Sequence, residues 1–286
     1  MTSIRINNIS LEYSEYGNGE PVVLVHGSTS DYRTWQDQIN DFNNHFRTIT
    51  YSRRYHWPNE KIPEGADYRM SEHVNDLEIL LQKLDAVPAH LIGHSYGAFL
   101  CLLLAIKNPS LIQTMVLAEP PVITLFVSNT PKPLELLTLF LKRPLTAIAI
   151  LKLGMKGIEP AKKAAKRDDI EEVSRLMGRA ILGEEFYNQL SESRREQVRV
   201  NTIKAELLGS GFAPLRPEEL REIDIPTLLV NGEKSPNFFH HLSDRLEELL
   251  SYTKRVQIPN ASHIMHEDNT EAYNKKVMSF LTNYKL

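Results

Sequence analysis

The sequence contains one cysteine, Cys101, in 286 residues. That excludes an internal disulfide framework and a cysteine-based zinc site. Long apolar runs are missing as well. No stretch approaches the roughly 18 apolar residues that a membrane-spanning helix needs, and Met1-Thr2-Ser3-Ile4-Arg5 has no apolar core of the signal-peptide kind. Excess charge is also absent, since 33 Lys and Arg stand against 36 Asp and Glu, a formal −3. Composition therefore offers no strong attraction for nucleic acid or an anionic membrane. There is no internal repeat and no low-complexity segment. These absences lead us to expect a soluble, cytoplasmic protein with no membrane span and no nucleic-acid partner, acting on a small molecule or another protein; we expect no metal and no cofactor. The length suits one large domain, or a domain carrying an insertion.

What is present alternates. Ile4 to Tyr16, broken by Asn7-Asn8, reads as an edge hairpin. Pro21-Val22-Val23-Leu24-Val25 is apolar at successive positions, as in a strand buried on both faces. A helix from about Tyr32 to Phe42 and a strand over Phe46 to Tyr51 follow. Ser71-Glu72-His73-Val74 can cap a helix with Val74, Leu77, Leu80, Leu81 and Leu84 on one side. Ala89 to Ile92 and Thr114 to Ala118 read as buried strands flanking a helix over Ala98 to Ile106. The second strand stops at Glu119-Pro120-Pro121, because proline cannot continue the ladder. Such alternation implies right-handed crossovers and a parallel sheet.

From about Val122 to Pro214 no convincing strand occurs, while Leu, Ala, Lys and Glu accumulate at helical spacing. Leu134 to Leu141 and Leu145 to Leu153 are apolar almost all round, so their helices should be covered on more than one side. They read equally as core helices or as a lid roofing a pocket. Alternation resumes with a strand at Pro226 to Gly232, a helix at Phe238 to Leu250 and a strand at Lys254 to Pro259. A loop through Asn260-Ala261-Ser262-His263 and a helix over Glu271 to Tyr284 close the chain.

Chemistry concentrates around Gly93-His94-Ser95-Tyr96-Gly97. A serine at a sharp strand-to-helix turn needs small neighbours, which Gly93 and Gly97 supply. The turn presents the Ser95 hydroxyl at the carboxyl edge of the sheet, with the Tyr96 N–H at a helix N-terminus, where a developing oxyanion is stabilised. A serine hydroxyl needs a base, and the base needs an orienting group. Of ten histidines, His263 follows the last strand and so shares that edge. His26 reads as a structural turn residue and His266 as the main decoy. His240 and His241 point different ways on a helix and make a poor metal pair.

The order of His26-Gly27 after a strand, then Gly93-His94-Ser95-Tyr96-Gly97, a helical insertion and the late His263 resembles the α/β-hydrolase family across essentially the whole chain. The resemblance implies an α/β-hydrolase fold, a mostly parallel central sheet with helices on both faces. It divides the chain into a core over 1–121 and 215–286 and an inserted helical lid over 122–214. It also implies that the N–H of Ser28 joins that of Tyr96 in an oxyanion hole. Tyr51-Ser52-Arg53-Arg54-Tyr55-His56-Trp57 occupies the place of the family's Asp-x-Arg-Gly-x-Gly turn. Tyr55 and Trp57 there replace glycines and either line the pocket mouth or simply pack. The family most often places its acid after the next-to-last strand, in Gly-Glu-x-Asp; this chain has Gly232-Glu233-Lys234-Ser235. Ser235 cannot carry the charge, so Glu119, at the end of the preceding strand, is the candidate, with Glu233 and Asp244 as fallbacks. Asp224 lies at the wrong edge.

Relatives that open epoxides carry a carboxylate nucleophile, whereas Ser95 suits acyl carbon. The expected enzyme is a serine hydrolase acting on a small hydrophobic carboxylic ester or lactone through an acyl-enzyme. Alternatives are a small-molecule receptor on the same fold, carbon–carbon bond hydrolysis, and cofactor-free perhydrolysis.

Overall fold

A computed structural model describes residues 1–201 and 203–284; Thr202, Lys285 and Leu286, which fall within the expected lid and core ranges, lie outside the described residues. Eight strands form one sheet: β1 (Thr2–Ile6), β2 (Ile9–Tyr16), β3 (Pro21–Val25), β4 (Arg47–Tyr51), β5 (Ala89–His94), β6 (Ile112–Ala118), β7 (Thr227–Gly232) and β8 (Thr253–Ile258). Their order is β1-β2-β4-β3-β5-β6-β7-β8. The β1–β2 and β2–β4 pairs are antiparallel, and every pair from β4–β3 to β7–β8 is parallel. Asn7 and Asn8, both at positive φ (46° and 66°), make the two-residue hairpin turn between β1 and β2, a conformation that asparagine tolerates better than most residues.

The side-chain period of two divides the core. Val23, Val25, Leu91, Met115, Leu117 and Leu229 point to one face, where they pack against helices Met70–Lys83, Tyr96–Lys107 and Asn237–Leu249. Val22, Leu24, Ile92, Val116, Leu228 and Val230 point to the other, against helices Gln36–Phe42 and Thr270–Thr282. Because both faces are covered, the central strands are apolar without alternation. Each fully buried Val or Leu in them contributes about 1.5–3 kcal/mol relative to exposure.

Three local expectations are corrected. The Tyr32 to Phe42 segment is a 3₁₀ turn, Tyr32–Trp35, leading into the helix Gln36–Phe42. Ser71 does not cap its helix: the helix begins at Met70 after an extended Arg69, which places Ser71 inside the first turn. Between β6 and β7 the described residues are helical or irregular, with no strand. There the helices Pro133–Lys142 and Pro144–Leu153 are not covered all round, since Leu134, Leu141 and Leu145 are 72%, 74% and 68% exposed. Each buries a single side, Leu139 on one and Thr146, Ala147 and Ile150 on the other.

The crossing of the Tyr96–Lys107 helix over the sheet is tight. A Cβ on Gly97 would fall on the carbonyl oxygens of Val25 and His26, and one on Gly93 would sit 2.5 Å from the Ala98 Cα. These atoms are backbone and cannot swing aside. Gly97→Ala is therefore expected to cost about 3 kcal/mol or more of stability, read from urea denaturation; a loss within experimental error would show that the crossing is loose.

Candidate active site

Ser95 follows β5 directly, at φ 50° and ψ −118°. This conformation is costly for a residue with a Cβ and persists only where the surroundings enforce it. Its N–H donates to the Ala118 carbonyl (2.8 Å), which ties the turn to the end of β6. Glu119 comes next on that strand, also at positive φ (47°). Its N–H donates to the Val230 carbonyl (3.2 Å) on β7. Ends of three neighbouring parallel strands thus hold both residues at one edge.

The Glu119 carboxylate is buried, and one oxygen accepts from His263 Nδ1 at 2.6 Å. The other accepts from Asn231 Nδ2 (3.1 Å) and the Gly232 N–H (3.0 Å) at the end of β7. Donating from Nδ1 leaves Nε2 as the nitrogen of a neutral imidazole that can take a proton. Phe239 stacks on the His263 ring (4.0 Å between centroids, 14° between planes), and His94 Nε2 donates to the His263 carbonyl (2.8 Å). The hydrogen bonds of His263 among the described residues do not include the Ser95 hydroxyl. Bonds of that kind commonly tighten only once substrate is in place. Glu233 and Asp244 are engaged elsewhere, Glu233 accepting from the Asn260 N–H (2.8 Å) and Asp244 pairing with Arg255 (2.5 Å). Ser235 is buried and its hydroxyl has no hydrogen-bond partner among the described residues.

Opposite Ser95 runs the turn after β3. Gly27 passes so close that a Cβ on it would meet the Ser95 Cβ at 3.1 Å. Arg53 pins this turn. It is fully buried, and its guanidinium donates to the carbonyls of His26 (3.1 Å) and Gly27 (2.9 Å) and to the Tyr68 hydroxyl (2.9 Å). Its backbone N–H donates to His26 Nε2 (2.9 Å), and the guanidinium lies over the Tyr96 ring (4.5 Å). Helices of the insertion seat on the residues that follow. Asp31 accepts from Gln197 (3.0 Å) and Asn201 (2.8 Å), and Arg194 bridges the Thr29 carbonyl (3.1 Å) and Glu267 (3.2 Å). The Ser28 hydroxyl donates to Glu206, on the insertion helix Ile203–Leu208. Burial pushes the Glu206 carboxyl up, against the opposing pull of the Arg53 charge.

Tyr55 keeps the left-handed backbone (φ 67°) that explains a glycine at its place in the resembled turn. Its ring packs on the main core cluster and under the Arg54 guanidinium. Trp57 stacks on Tyr32 (5.9 Å) beneath the Arg33 guanidinium (3.9 Å), and its backbone N–H donates to the Asn201 side-chain oxygen (2.9 Å). It joins the seam between core and insertion. Arg53, Asn231 and Glu206 were not singled out from the sequence. Asn231 carried a signal, a polar residue ending the apolar run Leu228-Leu229-Val230 at the carboxyl edge. Arg53 and Glu206 carried none, since burial of an arginine or of a helical glutamate is a tertiary event. Among the described residues no group of three His, Cys, Asp or Glu could hold a metal ion.

Comparison with known proteins agrees with the fold that carries this site. The family model that describes the alpha/beta hydrolase fold matches residues 20–270. Epoxide hydrolase 3 of Xenopus tropicalis is 22% identical over 97% of this chain and 77% of its own. A thermophilic esterase from Thermogutta terrifontis superposes with a TM-score of 0.73 at 19% identity, covering 100% of this chain and 98% of its own. The enol-lactonase from Burkholderia xenovorans LB400 gives 0.75 at 18% identity, covering 98% and 100%.

The site is ringed by imidazoles that stay neutral. Burial, reinforced by the Arg53 charge, holds His26, His56 and His73 well below the ordinary 6.5. Burial does the same to His94 and lowers His266 to about 4. The unfolded chain binds these protons below about pH 6.5 and the folded chain does not, so the stability they contribute is present above that pH and is lost as pH falls. Glu206 and Asp268, whose carboxyls burial raises, work in the opposite sense but are fewer. Urea titrations between about pH 7 and pH 5 should show stability falling by more than about 1.4 kcal/mol per pH unit, the slope of one proton. A flat profile would contradict the neutral ring.

Proposed function

The chain belongs to the α/β-hydrolase family, and from that premise we propose that it hydrolyses a small hydrophobic carboxylic ester or lactone through an acyl-enzyme on Ser95. The observation that carries this reading is the buried Glu119–His263 hydrogen bond at the same sheet edge as the strained Ser95 turn. In the proposed cycle the Ser95 hydroxyl gives its proton to His263 Nε2 as its oxygen attacks the acyl carbon. Glu119 stabilises the resulting imidazolium. The oxyanion is held by the backbone N–H groups of Ser28 and Tyr96, the latter a first-turn N–H with no partner within its helix. The proton then passes to the departing alkoxide. A water, giving its proton to His263, attacks the acyl-enzyme, and the acyl–oxygen bond to Ser95 breaks as His263 returns that proton to the Ser95 oxygen and the acid departs.

Likeness to an epoxide hydrolase supports the fold and not epoxide opening, because that chemistry needs a carboxylate where this chain has Ser95. The insertion over 122–214 serves as the lid, closed by the contacts of Gln197, Asn201 and Arg194 with the turn after β3. Glu206 stands beside the oxyanion hole, where a protonated carboxyl is compatible with developing negative charge and an ionised one is not. Its raised affinity for a proton fits that place.

With short p-nitrophenyl esters as substrate, Ser95→Ala should lower turnover by about 10⁴-fold or more, and Glu119→Gln by about 10²- to 10⁴-fold. Ser235→Ala should change it by less than about threefold, because its hydroxyl touches neither His263 nor Glu119. A larger loss in Ser235→Ala than in Glu119→Gln would return the acid to the later loop.

A further inference from the structure

The helices Pro133–Lys142 and Pro144–Leu153 are amphipathic in an inverted sense, with the apolar stripe outward. Leu134, Leu137, Leu141, Leu145, Ile148 and Met155 are each more than half exposed. Within each helix the exposed residues recur every three or four positions, Leu134, Leu137 and Leu141 on the first and Leu145 and Ile148 on the second, with Met155 in the Gly154–Ile158 turn that follows, so they are patterned rather than scattered exceptions. Exposed apolar residues patterned in this way mark an interaction surface more often than singly scattered ones do. Beside it lies a groove of about 620 Å³ whose lining includes Leu125, Phe126, Leu134 and Leu139 together with Lys132 and Lys142.

Charge identifies the partner. Residues 132–156 hold five basic side chains against one acidic, a formal +4 in a chain whose total is −3. The near-neutral composition conceals this local excess. Arg143 is committed to Glu248 (2.5 Å) and Glu135 accepts from Ser128, while Lys132, Lys142, Lys152 and Lys156 extend from exposed positions bordering the stripe. An apolar stripe edged by lysines matches an anionic bilayer surface: leucines enter the acyl boundary and ammonium groups reach the headgroups. A symmetric pairing of two copies across this face would set these lysines against one another, which argues against that occupant. No described helix is long and apolar enough to cross a membrane, so the contact is peripheral.

We propose that the two helices dock the protein on anionic lipid through the Leu134–Met155 stripe and its flanking lysines. The test is co-sedimentation of the full chain with vesicles of phosphatidylcholine alone or of equal parts phosphatidylcholine and phosphatidylglycerol. The account expects binding to the mixed vesicles, weakened by salt and absent from the neutral ones. Leu141→Glu/Ile148→Glu and, separately, Lys142→Glu/Lys152→Glu should each weaken binding about tenfold or more. Both pairs lie on the surface, so thermal melting and turnover of a soluble ester should stay as in the parent protein. Absence of binding to mixed vesicles, or binding unchanged in both variants, would overturn the proposal. So would a dimer in light scattering that Leu141→Glu/Ile148→Glu converts to monomer, since a second copy would then cover the stripe.

Discussion

Glu119 and His263 meet at 2.6 Å in a place closed to water, and much of the carboxyl edge of the sheet is arranged around that contact. A buried carboxylate left without partners is strongly destabilising. Here each oxygen is engaged, by His263 on one side and by Asn231 and the Gly232 N–H on the other. Phe239 and His94 then hold the imidazole by stacking and by its own carbonyl. The bond also requires β5, β6 and β7 to end in register, and the Ser95 and Glu119 N–H groups reach across to the neighbouring strands to enforce it. Positive φ at both residues is the backbone expression of the same constraint.

A second layer of buried polar groups supports the turn facing Ser95. Arg53 reaches the carbonyls of both His26 and Gly27 and places its charge among histidines that burial keeps neutral. A full positive charge at this depth is tolerable because it is spread over several acceptors and an aromatic face. The insertion rests on the same turn through Asp31, Thr29 and Ser28, so any movement of these helices is coupled to the backbone opposite the serine.

Much of this was legible in the sequence because burial on two faces writes itself as unbroken apolar runs. Val22 to Val25, Leu91-Ile92 and Leu228 to Val230 named their strands, and the carboxyl ends of β5, β6 and β8 pointed to Ser95, Glu119 and His263 as candidates. Ser235, a residue that cannot carry charge, redirected attention to Glu119. What escaped depends on contacts between distant segments. Arg53 and Glu206 sit in unremarkable local patterns, and only contacts with distant segments give them their surroundings. The Ser71 cap failed for a local reason, the helix having begun one residue earlier. The helices after Pro133 failed for a physical one: an apolar composition states how much surface wants cover, and says nothing about whether this chain supplies it.

The central claim is that Ser95 is an activated nucleophile. Intact-mass measurement after exposure to a serine-directed fluorophosphonate, with peptide mapping of the adduct, tests it most directly. The account predicts a single adduct located on Ser95 that forms quickly in the parent protein and slowly in Glu119→Gln. A well-folded protein that takes no adduct, or takes it at another serine, would contradict the account and turn attention to a small-molecule receptor on this fold.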